Sequence, residues 1–202
     1  MISRRFFVSG ATSVVLAAAL SPSSVNAKTP NGQVFLIRGF ANIFSTGLDT
    51  LGKELKALGI RAEVLPLQER NRFAKRIADS YRQSRQGRPI ILIGHSLGAD
   101  ETYAVARELQ KSKIPVALVV SFDPTGKGPV PGNVKHAINF YTGGEAIWSP
   151  VTPAAEFKGK LQNVNLRTGE DAIQGVGHFN VEKNKHLHDR TIREIKSVLR
   201  IR

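Results

Sequence analysis

Pro89-Ile90-Ile91-Leu92-Ile93-Gly94-His95-Ser96-Leu97-Gly98 is the stretch whose reading decides the fold. Its first five residues are apolar and rich in β-branched side chains, the pattern of a short buried strand. Residues 99–111 contain neither Gly nor Pro and read as a helix. Ser96 therefore falls on a tight strand-to-helix turn. Gly94 and Gly98 leave room for a bend at which a side chain would clash. Such a turn pushes the serine hydroxyl out at the end of the strand. The first amides of the following helix face the same spot and suit a developing oxyanion.

The same alternation of strand and helix extends in both directions. Gln33–Arg38 reads as a first strand and residues 44–58 as a helix with Leu48, Leu51, Leu55 and Leu58 on one face. Ile60–Leu65 reads as a strand. Residues 69–86 form an Arg-rich helix whose Phe73, Ile77 and Tyr81 make a buried stripe. Ile114–Phe122, Val134–Tyr141 and Leu161–Leu166 read as further strands, and Glu182–Leu199 as a closing helix. Strands separated by helices of this length imply βαβ units in a mainly parallel sheet with helices on both faces. No internal repeat, low-complexity tract or interdomain linker interrupts the pattern.

The 202 residues fit one domain, and 41% hydrophobic content is enough for a packed core. Residues 1–27 carry Arg4 and Arg5 and no acid, then an apolar small-residue run from Val14 to Leu20, a break at Pro22, and Val25-Asn26-Ala27. This is the organisation of a secretory leader cut after Ala27, and the arginine pair is of the twin-arginine kind. The chain then divides into a leader over 1–27 and one domain over 28–202, with a periplasmic or secreted destination. An uncleaved anchor is the alternative. Beyond residue 27 the chain keeps 27 basic and 16 acidic residues, a net +11. That charge suits an anionic neighbour such as lipid headgroups or acidic polysaccharide, or simply a solvated surface. No nucleic-acid recognition motif is present. The absence of cysteine excludes disulfides, a cysteine nucleophile, thiolate metal sites and a lipid-modified N-terminal cysteine.

A serine hydroxyl needs a base to take its proton, and the base needs an orienting acid. In an α/β sheet both belong in loops after the carboxyl ends of strands. Asp123 follows the strand ending at Phe122 and sits in the immediate turn Asp123-Pro124-Thr125-Gly126. Glu145, after the next strand, is the rival acid, and Asp171 the third. His178, in Gly175-Val176-Gly177-His178-Phe179, is the candidate base. His136 falls within a strand, and His95 is expected to face away from the site. His186 and His188 lie on different faces of the last helix, which argues against a shared metal. The oxyanion donors expected are the backbone N–H of Leu97 and, from the loop after the first strand, that of Phe40, with Ala41 next. Trp148 is the only tryptophan and lies among glycines and prolines in 142–158, a loop expected to carry substrate specificity.

These residues resemble the α/β-hydrolase fold. The resemblance runs from about Gln33 to the C-terminus and rests on Arg38-Gly39-Phe40, Gly94-His95-Ser96-Leu97-Gly98, Phe122-Asp123-Pro124 and Gly177-His178-Phe179. His before the nucleophile and Leu after it are common among lipases and thioesterases of this fold. Asp-Pro after the next strand is similar to the acid position of pancreatic-type lipases. By that likeness Ser96, Asp123 and His178 are nucleophile, acid and base. The chain has no long insertion for a lid, and only 142–158 is placed to act as a minimal cap, so the likeness is to small esterases and thioesterases. The expectation is a monomeric, exported, cofactor-free serine hydrolase that acts on a small-molecule or lipid ester or thioester through an acyl-enzyme on Ser96. Amide hydrolysis would use the same groups. A non-catalytic binding protein on a hydrolase-like scaffold is the alternative.

Overall fold

A computed structural model describes residues 30–40, 45–67, 70–84, 87–126, 128–143 and 147–201. The expected leader over 1–27, Ala41 and Glu145 lie outside the described residues. Six strands form one sheet: β1 (Gln33–Ile37), β2 (Ala62–Leu65), β3 (Ile90–His95), β4 (Leu118–Phe122), β5 (His136–Tyr141) and β6 (Lys160–Asn165). Four helices connect and close them: α1 (Thr46–Ala57), α2 (Arg70–Gln83), α3 (Leu97–Lys111) and α4 (Lys185–Leu199). The strand order is β2-β1-β3-β4-β5-β6, and every pairing is parallel.

Alternation along each strand separates two cores. Phe35, Ile37, Ile90, Leu92, Val119 and Ala137 pack with residues of α2 and α3. Val34, Leu36, Ile91, Ile93, Val120, Phe122, Ile138 and Phe140 pack with residues of α1 and α4. Both faces of the central strands are therefore covered, which is why β3 reads as an unbroken apolar run. The strand order reverses between β1 and β3. Ligands of open α/β sheets bind outside the carboxyl ends of strands at such a reversal, and Ser96 follows β3 there.

Several boundaries shift by a few residues from the sequence reading, and two of these differences have local reasons. Residues 114–122 do not form one strand, since the ladder starts at Leu118 and Val116 makes only an isolated bridge to Val134. Pro115 has no N–H to give a ladder, and Val116 and Ala117 donate to different partners, Asn133 O at 3.0 Å and Ile90 O at 2.8 Å. The closing helix does not run from Glu182. A 3₁₀ turn over Val181–Lys183 comes first, and Asn184 then caps α4 by accepting the Leu187 N–H at 3.2 Å. Among the described residues, no helix is long and apolar enough to cross a membrane.

Candidate active site

The turn after β3 is as tight as the glycines imply. Ser96 has φ 57° and ψ −129°, a strained conformation for a residue with a side chain. A Cβ on Gly94 would lie 2.3 Å from Gly98 O, and one on Gly98 would lie 2.2 Å from Ile37 O and 2.4 Å from Arg38 O. Both glycines are needed because backbones touch there. The Ser96 N–H donates to Phe122 O at 2.9 Å, which ties the turn to the end of β4. Leu97 opens α3, so its N–H is the first of that helix.

Asp123 follows β4 directly, is fully buried and also has positive φ, 46°. Its Oδ1 accepts the Thr142 N–H and its Oδ2 accepts the Thr142 Oγ–H, each at 2.6 Å. Thr142 follows β5, so the neighbouring strand holds the carboxylate by its free end. From α3, Asp100 accepts the N–H groups of Thr125 at 3.2 Å and Gly126 at 3.0 Å, which fixes the loop beyond Asp123.

His178 stands between the two. Its Nε2 is 3.1 Å from Ser96 Oγ, and its Nδ1 is 3.4 Å from Asp123 Oδ2. The second distance is longer than a formed hydrogen bond, and Nδ1 has no hydrogen-bond partner among the described residues. Asn180 shapes this loop: its Oδ1 accepts the Gly177 N–H at 2.8 Å and its Nδ2 donates to Gly175 O at 3.1 Å. The structure thus brings Ser96, Asp123 and His178 together. Asp171 is elsewhere, paired with Arg190 at the surface at 2.7 Å.

His95 does not face away from the site. Residues 91, 93 and 95 share a face of β3, the face toward α1 and α4, and the His178 loop leads into α4. The His95 ring is buried, its centroid 4.9 Å from that of His178. Its Nε2 is 2.8 Å from His178 O and its Nδ1 is 2.9 Å from Ser45 Oγ. Ser45 Oγ also accepts the Gly39 N–H at 2.8 Å. Burial pushes the His95 pKa down to about 4, so the ring is neutral over the physiological range. The Gly39 amide is therefore engaged within its own loop.

Trp148 covers the other side of the base. Its ring stacks on that of His178 with centroids 4.2 Å apart and planes 13° from parallel. A buried polar ladder holds the segment beyond it. Tyr103 Oη is 2.8 Å from Ser121 Oγ, Ser121 donates to Asn139 Oδ1 at 2.9 Å, and Asn139 Nδ2 donates to Asn163 Oδ1 at 3.0 Å and to Ser149 O at 3.1 Å. A cavity of about 240 Å³ opens beside Ser96, lined by Phe40, Ile147, Trp148, His178 and Phe179 among others. Phe40 and Phe179 are 65% and 67% exposed, and Ile147 is also exposed, so the mouth has an apolar rim.

His136 and His188 are held by structural contacts, and His186 is exposed. His188 bridges Glu54 at 3.1 Å and Glu182 O at 2.7 Å, and His136 pairs with Gln162 at 3.1 Å. Among the described residues, no cluster of three His, Cys, Asp or Glu side chains could hold a metal ion.

No protein-family model matches the chain, and no curated protein matches it. Solved structures do. The ydeN gene product of B. subtilis aligns over 82% of this chain and 100% of its own, with TM-score 0.54 and 16% identity. The RedJ thioesterase of the prodiginine biosynthetic pathway in Streptomyces coelicolor aligns over 89% and 98%, with TM-score 0.52 and 12% identity. Est1E from Butyrivibrio proteoclasticus aligns over 85% and 91%, with TM-score 0.51 and 12% identity. At these identities the likeness is one of fold, and it spans nearly the whole of each partner.

Proposed function

On this α/β-hydrolase fold, we propose that the chain is a serine hydrolase that cleaves carboxylic esters or thioesters through an acyl-enzyme on Ser96. The observation that carries the reading is the placement of His178 Nε2 3.1 Å from Ser96 Oγ, with Asp123 behind Nδ1. His178 takes the Ser96 proton as Oγ attacks the carbonyl carbon. The N–H groups of Leu97 and of Phe40 or Ala41 receive the oxyanion. His178 then gives its proton to the departing alkoxide or thiolate, and water, activated by the same imidazole, releases the acid. Asp123 holds the tautomer with the proton on Nδ1 and stabilises the imidazolium.

The 240 Å³ cavity and its apolar rim favour an uncharged acyl group of modest size, since pockets for drug-sized ligands begin at about 300 Å³. The neighbours with thioesterase and esterase names support the hydrolase reading through fold alone. The leader over 1–27 and the net positive charge support export and an anionic surrounding for a monomer.

The test is a fluorophosphonate probe on the exported protein, with the site of modification and the mature N-terminus read by mass spectrometry. The expected result is one adduct, on Ser96, absent in Ser96→Ala, on a chain beginning at Lys28. A Ser96→Ala protein that still takes the label defeats the mechanism. An N-terminus at Met1 defeats the cleavage but leaves the chemistry standing.

A further inference from the structure

Resting on that reading of the site, we propose that His95 is a positioning residue, which with Ser45 braces the His178 loop and the Gly39-Phe40 loop against each other across Ser96. The argument follows from which atoms can donate. The carbonyl oxygen of His178 can only accept, so the His95 Nε2 that lies 2.8 Å from it carries the hydrogen. In the neutral ring Nδ1 is then an acceptor, so the Ser45 hydroxyl 2.9 Å away donates to it. That orientation leaves a lone pair on Ser45 Oγ for the Gly39 N–H at 2.8 Å.

The result is a directed chain: Gly39 N–H to Ser45 Oγ, Ser45 O–H to His95 Nδ1, His95 Nε2–H to His178 O. One tautomer of a neutral imidazole satisfies every member, and the ring is buried where charge is disfavoured. A histidine that merely filled the α1–α4 core would not need both nitrogens engaged by groups from two different loops. Those loops are the ones that carry the base and the expected oxyanion donor, and His95 itself adjoins the nucleophile. The brace also adjoins the cavity, since Ser45 and His95 both line it. A misplacement of the reacting groups by about 1 Å is worth on the order of 100-fold in rate, which sets the size of the effect.

Two measurements test this. Nitrogen-15 imidazole NMR of the wild-type protein, assigned through His95→Gln, should find His95 neutral near pH 7 with its proton on Nε2. A proton on Nδ1, or an imidazolium at that pH, overturns the chain of donors whatever the protein hydrolyses. Steady-state hydrolysis of p-nitrophenyl butyrate is then compared among His95→Gln, His95→Asn and His95→Leu, with melting temperatures in parallel. Gln can reach with a donor where Nε2 stood; Asn is too short and Leu has none. Asn and Leu should lose about 100-fold in kcat with KM little changed, and Gln should recover most of that loss. Ser45→Ala should cost activity in the wild type and little more in the His95→Leu background, because the two act through one chain. Wild-type kcat in His95→Leu, or equal losses in Gln and Leu that follow the melting temperature, overturns the positioning role. A wild type inert to both the ester and fluorophosphonate overturns the reading of the site itself, and the NMR result would still decide the hydrogen-bond chain.

Discussion

Asp123→Asn tests the acid with a change of one atom. The two acceptors of Asp123 are not equivalent: Oδ1 meets a backbone N–H that cannot turn, whereas Oδ2 meets a Thr142 hydroxyl that can. An asparagine has one oxygen to offer. Turning its NH₂ toward the Thr142 N–H would bury two opposed donors, at a cost of about 1–3 kcal/mol. Turning it toward Oγ costs far less, since the hydroxyl rotates and accepts. The amide nitrogen therefore takes the place of Oδ2, the atom 3.4 Å from His178 Nδ1. A donor there makes Nδ1 the acceptor and sends the imidazole proton to Nε2, where the Ser96 proton has to go. In serine proteases the corresponding tautomer error lowers kcat by about 10⁴, or roughly 5 kcal/mol of transition-state stabilisation at 1.36 kcal/mol per decade. Loss of the buried charge removes its desolvation cost along with its stronger hydrogen bonds, so stability should change little. The expected outcome on p-nitrophenyl butyrate is a kcat lower by three to four decades (about 10³–10⁴). KM should be close to wild type, and the melting temperature should move only a few degrees. His178→Ala should be worse still. A variant within tenfold of wild type refutes the reasoning and transfers the acid role to Glu145.

Two other expectations concern different parts of the molecule. Glu182 is fully buried, and burial raises its pKa against the opposing pull of Lys183 and of the backbone N–H groups of Glu182 and Gly47. A raised folded-state pKa means that its contribution to stability is present below the unfolded value, about 4.3, and is lost as pH rises through the folded value. Glu182→Gln should therefore flatten that limb of the melting-temperature profile and be at least as stable as wild type at pH 7, and a variant that is less stable there with an unchanged pH slope would contradict it. Trp148→Ala removes one wall of the cavity beside Ser96, and across p-nitrophenyl esters from acetyl to octanoyl it should shift the preference toward longer chains. A uniform loss on every ester with a lower melting temperature would make Trp148 purely structural.

The elements that carry the candidate chemistry were legible because they punctuate an otherwise apolar pattern. A buried strand must end where Gly94 and Ser96 interrupt it, and an acid directly after Phe122 can only sit at the tip of its strand. His178 stands out because Gly175 and Gly177 precede it outside any periodic stripe. Thr142 gave no such signal, since its partnership with Asp123 depends on strand register between β4 and β5, which side-chain pattern does not encode. Ser45 carries no such mark either, since it falls inside the stretch 44–58 read as a helix. His95 was within reach: the two-residue period that puts Ile91 and Ile93 toward α1 and α4 puts position 95 there as well. The breaks at Pro115 and Asn184 came from residues whose local hydrogen bonding overrides an apolar run.

The stack of Trp148 on His178 gives the molecule a built-in optical gauge. One indole accounts for all tryptophan emission from this chain, and it lies face to face with the ring that gains a proton during the proposed reaction. An imidazolium accepts an electron from an excited indole more readily than a neutral imidazole does. Emission should dim as His178 becomes charged and brighten as it discharges. The protonation state of the base can thus be followed by light in the resting protein, with no label and no substrate, and an adduct on Ser96 would register in the same signal by changing the solvent around that indole.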